Sequence, residues 1–142
     1  MSASVFLSRR CCLYLSFSLP LVPGLSACAT TTPEQSQDEL IQRFYVLMAA
    51  GDFDACIALI SARNISRKQL ASFEHKLRRM LAGAKGMIDS KGGLAKVEVV
   101  ERKVSEEEQV IKLRVLVSYR DGSTRRERIN LVQEEGVWKV LL

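Results

Sequence analysis

The hydrophobic positions of this chain change their rhythm twice. Behind Arg9 and Arg10, "CCLYLSFSLPLVPGLSA" is almost continuously apolar, and no acidic residue occurs before position 28. Farther on the spacing becomes helical. Leu40, Phe44 and Met48 recur every four residues with Ile41 and Tyr45 beside them, which predicts one apolar stripe on a first helix. Thr32, Pro33 and Gln35 mark its start, as a cap, a first-turn proline and a capping-box partner, and Gly51 marks its end. Asp52 caps a short second helix, "FDACIALIS", with Phe53, Cys56, Ile57 and Ile60 on one face. Ser66 and Gln69 repeat the capping-box spacing and open a third helix. Its inner stripe is Leu70, Phe73, Leu77, Leu81 and Ala84, while Gly83 and Gly86 weaken its second half and predict a break before Gly92-Gly93.

From Leu94 the period falls to two. "AKVEVVERKV", "QVIKLRVLVSY", "RRERINLV" and "VWKVLL" read as four strands joined by "SEEE", "RDGS" and "QEEG", turns short enough to make every pairing antiparallel. The second strand sorts its faces: Ile111, Leu113, Val115, Val117 and Tyr119 on one, Val110, Lys112, Arg114, Leu116 and Ser118 on the other. A two-residue Asp121-Gly122 turn would bring Ile129 and Leu131 to the wrong face. A three-residue loop, Arg120-Asp121-Gly122 with Gly122 left-handed, pairs Leu113 with Ile129 and Ile111 with Leu131. That register also turns Arg125 and Glu127 inward, opposite Val117 and Val115. An even last turn does the same for Trp138, Val140 and Leu142. Helices followed by a curved four-stranded antiparallel sheet make the predicted fold α+β.

Composition adds an address. With 142 residues, 47% of them hydrophobic and 26% charged, the chain is ordinary globular sequence of one-domain size. Arg9-Arg10, the apolar run and its small-residue end are the three parts of a signal peptide, and Pro20 and Pro23 interrupt the run well short of a membrane-spanning helix. "LSAC", residues 25–28, resembles the lipobox of bacterial lipoproteins. The resemblance implies cleavage before Cys28 and lipid on its sulfur. It also implies delivery to the outer membrane, where there is one, because Ala29 rather than Asp follows. The predicted organisation is a cleaved leader over 1–27, a lipidated tether over 28–32 and one domain over 33–142. The alternatives for Cys28 are a free thiol after an ordinary signal peptide or a disulfide with Cys56, the other cysteine left after cleavage. Without the leader the net charge is about +3, weak grounds for nucleic-acid binding, which we do not expect.

Two stretches carry a family resemblance. "FYVLMAAGDFDACIALIS" looks like the opening of nuclear-transport-factor-2-like domains, and "YRDGSTRRERINLVQEEGVWKVLL" looks like their closing hairpins, with a DGS turn and a terminal G-x-W-K. Within that superfamily the chain resembles a bacterial lipoprotein family of unknown function, once labelled a lumazine-binding domain. The likeness spans roughly residues 34–142 and implies a cone-shaped fold that hosts isomerases, dehydratases, ligand binders and interaction modules alike.

Candidate chemistry is sparse. The single histidine, His75, falls on the solvent side of the third helix beside Lys68, Ser72 and Arg79, so no nucleophile–histidine set can be assembled on it. Asp52 and Asp54 suit a helix start, Asp121 suits a turn, and no spacing suggests a metal site or a cofactor. Arg67, Lys68, Lys76, Arg78, Arg79 and Lys85 form a solvated basic face, with anionic lipid headgroups as the sharper reading. The residues expected at a pocket are Tyr119, Arg125, Glu127 and Trp138, with Glu127 the one carboxylate suited to act as a base. Sequence therefore predicts an envelope lipoprotein, non-enzymatic, that binds a small hydrophobic ligand or an envelope protein, with a homodimer also allowed. The alternative is an enzyme using Glu127 for acid/base chemistry on a small hydrophobic substrate.

Overall fold

The computed structural model describes residues 32–142, so the leader, Cys28 and all of the tether but Thr32 lie outside the described residues. Helices α1 (Pro33–Ala50), α2 (Phe53–Ala58) and α3 (Leu70–Ser90) precede strands β1 (Leu94–Ser105), β2 (Val110–Tyr119), β3 (Thr124–Glu134) and β4 (Val137–Leu141). The strands form one antiparallel sheet in the order β1-β2-β3-β4, and it does not close: β1 and β4 are its edges.

Two helices start as their sequences dictate. The Thr32 hydroxyl accepts the Gln35 N–H while the Gln35 side chain accepts the Thr32 N–H, and Gly51 ends α1 at φ +83°. Asp52 accepts the Ala55 N–H at 3.1 Å to open α2. The third helix departs from expectation. The Ser66 hydroxyl donates to the Gln69 side chain at 2.9 Å, so the two satisfy each other rather than the backbone. Helix α3 then begins at Leu70 with no side-chain cap, and Leu70 is exposed instead of joining the inner stripe. It runs unbroken through Gly83 and Gly86 to Ser90, because burial of Leu77, Leu81 and Ile88 outweighs the propensity cost of two glycines.

Register follows the inward-facing residues. Leu113 lies opposite Ile129 and Ile111 opposite Leu131, across the three-residue loop Arg120-Asp121-Gly122 with Gly122 at φ +84°. The Tyr119 N–H donates to Ser123 O at 2.9 Å, and the Asp121 carboxylate accepts both the N–H and the hydroxyl of Ser123, which hold its carboxyl below the usual range. The last turn is Glu135-Gly136, both residues at positive φ as a tight hairpin requires. It places Val140 fully inside and Trp138 partly so. Leu142 shares their side but stands at the open rim of the sheet, 63% exposed.

The core lies between α1, α3 and the inner face of the sheet. Ile41, Phe44, Tyr45 and Met48 come from α1, Leu77, Leu81 and Ile88 from α3, and Leu113, Val115, Val117, Leu131 and Val140 from the sheet. Two irregularities in β1, at Leu94/Lys96 and Val99/Glu101, reset which of its residues face inward: Val97 and Val99 before the second, Arg102 after it. Arg102 reaches Asp38 at 2.7 Å and Glu34 at 3.7 Å, tying the first turns of α1 to the sheet. The chain leaving α2 covers part of the β4 edge, where the Val140 N–H donates to Leu59 O at 2.8 Å and the Ser61 N–H to Val140 O at 2.7 Å. The β1–β2 and β3–β4 tips stand at the end of the sheet where α1 begins. The β2–β3 loop stands at the other, held to the end of α3 by backbone bonds from Arg120 to Gly93 and from Asp121 to Lys91.

Candidate functional site

Arg125 and Glu127 point from the inner face of β3 into a cleft of about 430 Å³ bounded by α1, α3, β3 and the end of β4. Its lining is mostly apolar and flexible: Met48 from α1, Met80 and Met87 from α3, with Phe44, Leu81 and Ile129 between them. The volume is in the range of small-molecule sites, and unbranched thioether side chains can repack around ligands of different shape.

The polar edge of this cleft is a short chain of contacts. The Tyr45 hydroxyl donates to Glu127 Oε2 at 2.5 Å, and Arg125 Nε lies 3.1 Å from the other oxygen, Oε1. Arg125 Nη1 in turn lies 3.0 Å from the Met87 sulfur. The Glu127 side chain keeps 27% of its surface exposed, so it sits beneath Tyr45 and does not stand clear of the helices. Burial first, then the hydrogen bond to Glu127, pushes the Tyr45 phenol far above its ordinary value of 10.0. Tyr45 is therefore a fixed donor rather than a base.

The other two expected residues lie elsewhere. Tyr119 is buried on the same sheet face but does not line the cleft; the Lys91 ammonium sits 5.0 Å from its ring centroid. Burial and the Glu127 charge raise its phenol as well. Trp138 belongs to a separate groove of about 640 Å³ with Pro33, Leu40, Arg43, Leu59 and Val137, next to the start of α1. The fold thus brings Arg125 and Glu127 together, sets Tyr119 aside and separates Trp138. Sequence reasoning missed Tyr45 and the methionines as cleft residues. The one signal for them was the position of Tyr45 one step off the α1 stripe, which turns its ring toward β3.

The remaining candidates have local explanations. His75 is exposed among Ser72, Lys76 and Arg79 on α3. Asp54 pairs with Arg78. Cys56 is a free, fully buried thiol whose S–H donates to Phe44 O at 3.3 Å, and burial, then Asp52, pushes its pKa up to about 11. Among the described residues no three His, Cys, Asp or Glu side chains are grouped to hold a metal ion, and no helix is long and apolar enough to cross a membrane.

Comparison with solved structures supports the architecture. A Campylobacter jejuni protein described as a nuclear-transport-factor-2-like transpeptidase matches with a TM-score of 0.66 at 20% identity, over 73% of this chain and 95% of that one. The protein Aln2 from a Streptomyces species matches with a TM-score of 0.44 at 19% identity, over 77% of this chain and 87% of that one. At these identities the first likeness speaks for fold alone, and the second is too loose to argue from. No curated protein matches the chain. Residues 26–141 match the family model described as "Domain of unknown function (DUF4878)", so the chain belongs to that family and folds as a nuclear-transport-factor-2-like α+β domain.

Proposed function

We propose that this protein is a non-enzymatic ligand-binding module held at the cell envelope by lipid on Cys28, on the periplasmic side of the outer membrane where the organism has one. The observation that carries the binding role is the cleft between α1, α3 and β3: about 430 Å³, floored by methionine and aromatic side chains, with its polar groups confined to one edge. A site of that kind takes a small hydrophobic ligand. The anchor is supported by the lipobox-like Leu25-Ser26-Ala27-Cys28 directly behind an apolar run, with the folded domain beginning only a few residues later. Two or three acyl chains on Cys28 would make the attachment stable.

Acid/base chemistry at Glu127 is the competing reading, since Glu127 lies in the cleft. Both of its oxygens, however, are engaged, Oε2 by the Tyr45 hydroxyl and Oε1 by the Arg125 guanidinium, and among the described residues no histidine or second carboxylate lines the cleft to share the proton. The deciding experiment is native mass spectrometry of the protein released from its own membrane. A co-purifying small molecule that is displaced when Met80→Glu puts a charge in the cleft supports the binding role. Ligand-free protein, or a partner protein retained unchanged by Met80→Glu, overturns it in favour of an interaction module. The same spectra test the anchor: acyl mass on the wild type disappears in Cys28→Ala, and unmodified protein cut after Ala27 would remove the assignment.

A further inference from the structure

The polar edge of the cleft is built of donors whose protein partners run out. A guanidinium carries five N–H groups. Arg125 places Nε on Glu127 and Nη1 on the Met87 sulfur, a weak acceptor, and with its side chain 54% exposed its other N–H groups are open to water or to a ligand. Among the described residues lining the cleft, Glu127 is the one acidic side chain, engaged by Tyr45 on Oε2 and by Arg125 on Oε1. The Tyr45 hydroxyl has its one proton committed to Glu127 and none left to donate to a ligand. Arg125 and Glu127 are the charged side chains that β3 turns into the cleft; Arg128, paired across the strands with Arg114, belongs to the opposite face of the sheet. The edge thus keeps guanidinium N–H groups open to an acceptor on a ligand, and the floor of Met48, Met80, Met87 and Phe44 suits an aliphatic body of adaptable shape.

We propose that the cleft binds an aliphatic carboxylate, its chain over the methionines and its head on the unused N–H groups of Arg125. The inference rests on reading the cleft as a ligand site and adds the chemistry of the ligand. The planar fork of Arg125 selects a carboxylate geometrically as well as electrostatically, which an ammonium-headed amphiphile cannot satisfy and an ester satisfies only in part.

The test is photo-crosslinking on the full chain reconstituted in phosphatidylcholine vesicles. Three diazirine probes share one dodecyl chain and end in carboxylate, methyl ester or amine; labelled sites are mapped by peptide mass spectrometry. The carboxylate probe should label peptides containing Met80, Met87 or Ile129, and the ester and amine probes should label them much less. Arg125→Gln should lower carboxylate labelling by about tenfold, the worth of one charged hydrogen bond. Arg125→Lys should recover part of it, with the thermal unfolding midpoint of each variant confirming an intact fold. Equal labelling by all three probes, or preference for the ester or amine, overturns the head-group assignment while leaving an apolar ligand site standing. Failure of every probe to label these peptides overturns both.

Discussion

In the folded chain the Tyr45 hydroxyl donates to a carboxylate from a largely buried position, so ionising it would set two negative charges side by side where water screens them poorly. The unfolded phenol ionises near its ordinary value of 10.0, whereas the folded one keeps its proton well above that. Above about pH 10 the folded state therefore binds more protons than the unfolded state, and stability must fall as pH rises, while below it this contribution is fully present. Tyr119, raised in the same direction, adds to the same alkaline limb. Urea unfolding between pH 8 and 11 should show the midpoint falling with pH in the wild type and falling less steeply in Tyr45→Phe. At neutral pH that substitution strips Glu127 of one of its two partners and should cost about 1–2 kcal/mol. A pH slope unchanged by Tyr45→Phe would show that another group governs the alkaline limb.

The sheet and the third helix use glycine in opposite ways, and their elements divide along the same line in how legible they were from sequence. Gly122 closes the β2–β3 loop at φ +84°, where an added Cβ would meet no neighbour but would strain the backbone. Gly122→Ala should lower stability by about 1 kcal/mol through that strain. Gly86 lies inside α3 at ordinary helical angles with nothing within 4 Å of an added Cβ, so Gly86→Ala should raise stability by about 0.5–1 kcal/mol. Thermal unfolding of the two variants should therefore move in opposite directions. The loop and register could be read in advance because only one loop length keeps Ile129 and Leu131 on the face of Leu113. The start of α3 could not, because Ser66 and Gln69 bond each other across a spacing that also suits a capping box. The cleft was half legible: strand parity turned Arg125 and Glu127 inward. Which helix residues meet them depends on how α1 and α3 are rotated against the sheet, and that is decided by packing among three elements rather than by any local pattern.

Across the whole molecule charge is unevenly placed, and the anchor gives the unevenness a direction. Helix α1 begins at the end of the sheet that also carries the tips Glu106–Gln109 and Glu135-Gly136, so Glu106, Glu107, Glu108, Glu134 and Glu135 gather around the point where the chain enters the domain. Under the proposed lipidation, Cys28 to Thr32 spans at most about 17 Å fully extended. This acidic end must then face the bilayer. Anionic lipid should push it away, and salt should let it approach as the repulsion is screened over about 10 Å at 0.1 M. Trp138, the only tryptophan, lies in the groove beside Pro33 at this same end and reports the distance. Energy transfer from Trp138 to a dansyl headgroup should rise with added salt in vesicles containing phosphatidylglycerol and stay constant in pure phosphatidylcholine. Replacing Glu106, Glu107 and Glu108 together by Gln should flatten the salt response. Transfer that falls with salt would mean attraction instead, with exposed Lys76 and Arg79 of α3, and Lys68 just before it, lying on the lipid, and would overturn this orientation.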